Sequence, residues 1–196
     1  MGRPLGFDPK VAIRAALAVF WAKGFEGATL SELTEAMQIS RPSLYATFGD
    51  KETLFHKAMK CYDLGYMGFF DDALADPCVD EAIRRIVDGF LDLNTSETHP
   101  HGSPDTVGAL VCSDAADSVR RWLLERRQKR EAALAARFAK AVEEGQWPPG
   151  TDTHGLAAYL MTLLHGMDVQ AASGASRKRL QQIVGLGLAV IPKATA

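Results

Sequence analysis

Apolar positions recur at helical spacing along nearly the whole chain, and no stretch alternates in the manner of a half-buried strand. Asp8-Pro9 reads as a helix start. A carboxylate can cap the first turn, and a proline there lacks only an N–H that would have had no helical partner. Ile13, Leu17 and Phe20 then share a face, and Gly24 predicts a stop. Thr29 and Glu32 have the spacing of a capping box, opening a short helix whose buried face is Leu30, Leu33 and Met37. Gln38-Ile39-Ser40 leaves room only for a tight turn. Ser40 then caps a third short helix over 41–47, where Pro42 is tolerated in the first turn. Gly49-Asp50 breaks and recaps the chain, and one long helix is predicted over 51–74, closed before Pro77.

Further on, the pattern predicts a helix over 79–93, a loop from His99 to Pro104 and a short apolar segment over 107–112. A charged helix over 116–144 ends at Gly145, and Pro148-Pro149-Gly150 is a linker. Two broadly apolar helices, 153–172 and 176–190, finish the chain. The fold class expected is therefore all-α, with nine helices. Three small ones form an N-terminal helix-turn-helix unit over 1–50, and six build a larger helical unit over 51–196.

Composition narrows this picture. Of 196 residues, 47% are hydrophobic, enough for an ordinary core, and the formal net charge is −2. That balance excludes a protein holding nucleic acid by bulk positive charge, but not one reading DNA through a local surface. Residues 1–60 carry eight Lys/Arg against six Asp/Glu, whereas the remainder is net acidic. No apolar run of about 18 residues is present, so no membrane span is expected, and a cytoplasmic setting follows. Cys61, Cys78 and Cys112 are scattered without a CxxC, and His99 and His101 lack a third ligand nearby, so neither metal nor cofactor is expected.

A helix-turn-helix reads DNA when the outer face of its second helix carries donors and its inner face carries anchors. Leu44 and Phe48 are anchors four residues apart, while Arg41, Ser43, Tyr45 and Thr47 supply polar groups. The same corner could serve packing alone, and Tyr45 could be a core residue. The run Thr29-Leu30-Ser31-Glu32-Leu33 through Ile39-Ser40-Arg41-Pro42-Ser43-Leu44-Tyr45-Ala46-Thr47-Phe48-Gly49-Asp50-Lys51 resembles the DNA-binding domain of the TetR/AcrR family of regulators over residues 9–60. The resemblance implies a TetR-like fold whose second unit dimerises and binds ligand. It implies base or nearby backbone contacts from Arg41, Pro42, Ser43 and Tyr45, and phosphate contacts from Thr29, Tyr45, Thr47 and Lys51. It also places Gly2-Arg3-Pro4 where some members carry a minor-groove arm. The implied partners are double-stranded operator DNA, a second copy of the chain and a small-molecule effector.

The larger unit supplies candidates for the last two roles. The penultimate helix offers Leu156, Tyr159, Leu160, Leu163 and Met167 beside Gly166, and the last offers Leu180, Ile183, Val184, Gly187 and Ile191. Together they read as the dimer interface. Tyr62, Tyr66, Phe69, Phe90, Trp122 and Met161, with Asn94, His165 and Cys112 as sparse polar groups, read as a mostly apolar effector pocket. Core packing is the alternative for the aromatics and for His165. Cys112 is either buried packing or a thiol sensing oxidants or electrophiles. An enzyme is disfavoured: there is no nucleophile elbow, phosphate loop or HExxH. A DNA-binding structural protein without ligand control is distinguished by a solid core.

Overall fold

The computed structural model describes residues 6–107 and 116–194, which are helical without strands. In order these are α1 (Pro9–Gly27), α2 (Leu30–Met37), α3 (Arg41–Phe48), α4 (Lys51–Tyr66), α5 (Gly68–Leu74), α6 (Val79–Thr95), α7 (Pro104–Val107), α8 (Asp117–Glu143), α9 (Thr153–Ala172) and α10 (Arg177–Gly187), followed by a 3-10 turn, Leu188–Val190. Cys112 and the Gly2-Arg3-Pro4 arm lie outside the described residues.

The caps sit where the pattern places them. Asp8 accepts from the Lys10 N–H, Ser40 from Ser43 and Asp50 from Thr53. Thr29 and Glu32 close both halves of their box. Gly24 kinks α1 rather than ending it: its φ of 70° is left-handed, which glycine adopts without penalty, and helix resumes as far as Gly27.

Among the described residues ten helices stand where nine are expected, because the segment 51–74 divides. Met67 leaves the helical region (φ −107°, ψ 1°) between Gly65 and Gly68, two poor helix formers. The break buries Met67 and turns Phe70 and Ala73 inward while α5 packs on α6. The last helix also stops early, at Gly187, and tightens into the 3-10 turn.

One apolar core runs from the small helices into the bundle, through Phe20, Leu44, Phe48 and Phe55 to Tyr62, Phe90, Leu134 and Leu160. Phe20 and Phe25 meet Phe55 at 5.1 and 5.3 Å between ring centres, fixing α1 against α4. The expected interface residues divide. Leu160, Met167, Leu180, Val184 and Ile191 are buried within the protomer, because α9 and α10 pack on each other and on α6. The large apolar residues left exposed there are Tyr159, Val169, Leu186 and Val190.

Candidate nucleic-acid interface and effector region

The turn between α2 and α3 sets the geometry of the first candidate site. Gln38 adopts φ 54°, and the following N–H, of Ile39, returns to the Thr34 carbonyl. The chain therefore reverses within three residues and presents α3 across α2. Leu44 and Phe48 point inward, fully buried, while Arg41, Pro42, Tyr45 and Ala46 are exposed. Ser43 and Thr47 are half-buried at the edges of this face. Tyr45 is 50% exposed, so its ring is not core.

Arg41, Thr29 and Lys51 each have a present partner. Arg41 donates to the Ser31 hydroxyl at 2.7 Å, tethering the first turn of α3 to α2. Thr29 accepts from the Glu32 N–H and donates to the Glu32 carboxylate at 2.9 Å. Glu32 also pairs with Lys23, and that bond, with the two from Thr29, holds its carboxyl at about 2. Lys51 opens α4 with its ammonium 4.6 Å from the centre of the Phe25 ring. Partial burial draws its pKa down, against the attraction of Glu26. Sequence reasoning missed Lys57, which donates to the Phe48 carbonyl at 3.0 Å and so ties the end of α3 to α4. Its place nearly two turns inside a charged helix carries no signal of that role.

The second region is less uniform. Of the expected effector residues, Tyr62, Phe90, Asn94 and Met161 are buried, while Phe69, Trp122 and His165 are half-buried and Tyr66 is exposed. Phe69 meets Phe90 edge-on at 5.6 Å. Trp122 stacks on His56 at 4.3 Å and lies under the Arg126 guanidinium. Tyr66 packs on Trp21, which also stacks on His99 and donates to the Gly102 carbonyl at 2.7 Å. Burial, with Arg127 nearby, lowers the pKa of His165.

Tyr62 and Asn94 do converge, on a buried polar knot that the sequence reading did not assemble. Asn94 donates to Asp168 at 2.8 Å and accepts from the Gly102 N–H; Thr106 donates to the other Asp168 oxygen at 2.8 Å. Tyr62 bonds Ser103 at 3.3 Å. Beside them Arg126 and Arg130 of α8 each bridge Asp63 of α4 and Asp105 of α7. Burial alone would raise the Asp105 pKa, but the two guanidiniums outweigh it and lower it. Asp168 has no cation in contact, and burial pushes it up to about 7 despite its two hydrogen bonds. Arg126 and Arg130, four residues apart on a charged helix, read as solvated. Asp168 was the available signal, a lone carboxylate among the apolar residues of α9.

Cavities open elsewhere. One of about 510 Å³ lies between α6, α10 and the chain's end; one of about 300 Å³ lies beside Asp63, Phe70 and Arg130; one of about 610 Å³ lies between α1 and α4. Tyr66 is the expected effector residue that lines the last of these.

Comparison with known proteins places this arrangement in context. A family model described as "Bacterial regulatory proteins, tetR family" matches residues 12–58. Along 194 residues the chain is 29% identical to the HTH-type transcriptional repressor ComR of Escherichia coli (strain K12), covering 98% of this chain and 92% of that protein. A solved structure of the TetR family transcriptional regulator CifR, a cysteine mutant complexed with 26bp double-strand operator DNA, superposes with a TM-score of 0.93. It shares 34% identity, over 97% of this chain and 100% of that one.

Proposed function

The chain belongs to the TetR family of bacterial regulatory proteins, and we propose that it is a transcriptional repressor, not an enzyme, released from its operator by a small hydrophobic or electrophilic effector. The observation that carries this reading is α3: its inner face is locked by Leu44 and Phe48, and its outer face exposes Arg41, Pro42 and Tyr45. Side chains so placed can enter a major groove without disturbing the core. In this reading Arg41, Pro42, Ser43 and Tyr45 address bases and nearby backbone, and Thr29, Tyr45, Thr47 and Lys51 address phosphates. Residues 1–50 are the DNA-reading unit and 51–196 the dimerising, effector-binding one. No described helix is long and apolar enough to cross a membrane, which fits a cytoplasmic regulator.

Dimerisation follows from the same premise. Tyr159, Gly166 and Val169 on α9, with Leu186 on α10 and Val190 just beyond it, leave an apolar surface that a second copy would cover. Two copies would set their α3 helices about 34–36 Å apart and select a pseudo-palindromic operator. An effector acts in proportion to its differential affinity for the forms with right and wrong spacing. Met161, Phe90 and Asn94 supply candidate walls of that site, with Tyr62, Phe69, Trp122 and His165 around them. Tyr66 would stand at its edge, and Cys112 would be its reactive group if the effector is an electrophile.

The test is selection of bound sequences from a random duplex pool, followed by titration of the winner. A two-fold symmetric consensus bound by a dimer is the expected result. Equal affinity for all duplexes, or no binding, overturns the reading.

A further inference from the structure

The cavity between α1 and α4 has an unusual combination of walls. Its rim carries Lys10 and Arg14 from α1 and Lys57 and Lys60 from α4, and no acidic side chain lines it. Its apolar lining is Ile13, Cys61, Leu64 and Tyr66. Leu64, in the last turn of α4, is 80% exposed, whereas Leu54, Phe55, Met59 and Tyr62 of the same helix are buried. Among the described residues Lys10, Arg14 and Lys60 form no ion pair, whereas the exposed arginines Arg84 and Arg177 do. Lys57 has the Phe48 carbonyl as a partner, so in a chain of formal charge −2 the other three cations around this apolar trough are a local concentration of unmet charge.

We propose that this groove binds a small amphipathic anion, specifically a medium- or long-chain carboxylate, with its headgroup among Arg14, Lys57 and Lys60 and its tail along Ile13, Leu64 and Tyr66. The chemistry separates this occupant from the alternatives. A DNA backbone would use the cations but gain nothing from an apolar lining. A neutral apolar molecule would use the lining but leave the cations unmet. A carboxylate with a tail uses both, and the volume of about 610 Å³ lies within the usual range for small-molecule sites. The site is separate from the effector region considered above, sharing Tyr66 alone with it. The proposal does not rest on DNA binding, because the free protein tests it. Its consequence for regulation is direct: α1 belongs to the unit that carries α3, and α4 joins that unit to the bundle, so an occupant bears on both.

Cys61 in the lining is a built-in reporter, and Cys78, exposed at the start of α6, is its internal reference. The experiment follows carboxamidomethylation by iodoacetamide at each site, resolved by peptide mass spectrometry, with sodium dodecanoate below its micellar concentration. The expected result is that dodecanoate slows Cys61 at least fivefold and leaves Cys78 unchanged. Octanoate, with four fewer methylenes, should need at least tenfold more for the same effect, since each fully buried methylene is worth roughly a fourfold gain. Arg14→Glu and Lys60→Glu, both at exposed positions, should each abolish protection while the helical circular dichroism stays as in the parent. Equal protection by dodecyl maltoside would overturn the proposal by showing that the tail alone decides. Protection by a random-sequence duplex or by phosphatidylglycerol vesicles, without protection by dodecanoate, would overturn it in favour of a nucleic-acid or membrane face. No protection by any of them overturns it outright.

Discussion

The α2–α3 reader and the polar knot beneath it are both built from hydrogen bonds, but over very different reaches of chain. In the reader, Thr29 meets Glu32, Ser40 meets Ser43 and Arg41 meets Ser31, none separated by more than ten residues. In the knot, Asn94 reaches Asp168 across 74 positions, Arg126 reaches Asp63 across 63 and Trp21 reaches Gly102 across 81. The reader's groups are exposed, so water can replace each bond. The knot's groups other than Asp63 are largely buried, so a lost partner there leaves a charge or donor with nothing to replace it. One region therefore presents polar groups that a ligand can recruit, and the other uses polar groups to register α4, α7, α8 and α9.

The largest effect that follows is at the ion pairs. Arg130→Met leaves the Asp105 carboxylate, 1% exposed, with a single cation, and should cost about 3–5 kcal/mol in urea-induced unfolding. Removing Lys23, whose pair with Glu32 is solvated, should change the same curve little. If the two substitutions cost alike, the contrast between the regions fails.

Asp168 sharpens the comparison through pH. Its folded pKa, about 7, stands above the ordinary 3.8, so the folded state keeps a proton that the unfolded chain releases. Stability from this group is present at low pH and is lost as pH rises through that window, by about 3 kcal/mol between pH 5 and 8. Asp168→Asn removes the titration. Chemical denaturation of parent and variant at pH 5, 6, 7 and 8 should give curves that separate with rising pH, the parent falling. Parallel profiles would show that the carboxyl is ionised throughout.

On the reader, effects move from folding to binding and become smaller. Arg41→Ala should cost about 1–3 kcal/mol in operator affinity and relax the preference at one base pair, because Arg41 leaves Ser31 to reach an edge. Lys51→Ala should weaken all sequences equally and reduce the salt slope by about one unit. Fluorescence anisotropy against matched and mutated duplexes at several salt concentrations separates the two. A uniform loss for Arg41→Ala would reassign it from base to backbone.

The same contrast explains what was legible in the residues. Asp8, Thr29, Ser40 and Asp50 are caps by local rule, and each is found capping. The break at Met67 was invisible because glycines on either side permit it without requiring it; what decides is that Met67 and Phe70 find burial on the turned path. Tyr62 could be named as a pocket wall and Asn94 as a polar group in the bundle, but not their partners Ser103 and Asp168, which only tertiary packing brings near. Leu160 and Leu180, expected at the interface, are buried within the protomer, and this was illegible for a related reason. Periodicity marks Leu160 and Leu180 as apolar, and cannot say whether the partner surface is the same chain or a second one.

The smallest expected effect concerns the reader's one local misfit. Gln38 is the only non-glycine among the described residues with a positive φ, 54°, and it holds the turn that aims α3. A side chain in that region costs about 1–2 kcal/mol relative to the right-handed one, and glycine escapes the cost. Glycine also frees the unfolded chain, which returns about 0.4–1 kcal/mol of the gain. Gln38→Gly should therefore stabilise the protein by about 0.5–1 kcal/mol, seen as a rise of about 1–4 °C in Tm. Gln38→Val should do the reverse, since branching at Cβ makes the left-handed region still less accessible. Operator affinity should hold in the glycine variant, because the turn keeps the Ile39 N–H on the Thr34 carbonyl. A glycine variant that is less stable, or equally stable but weaker on DNA, would mean that the glutamine side chain itself contributes to the turn or to the complex, and the reader would then not be a product of local rules alone.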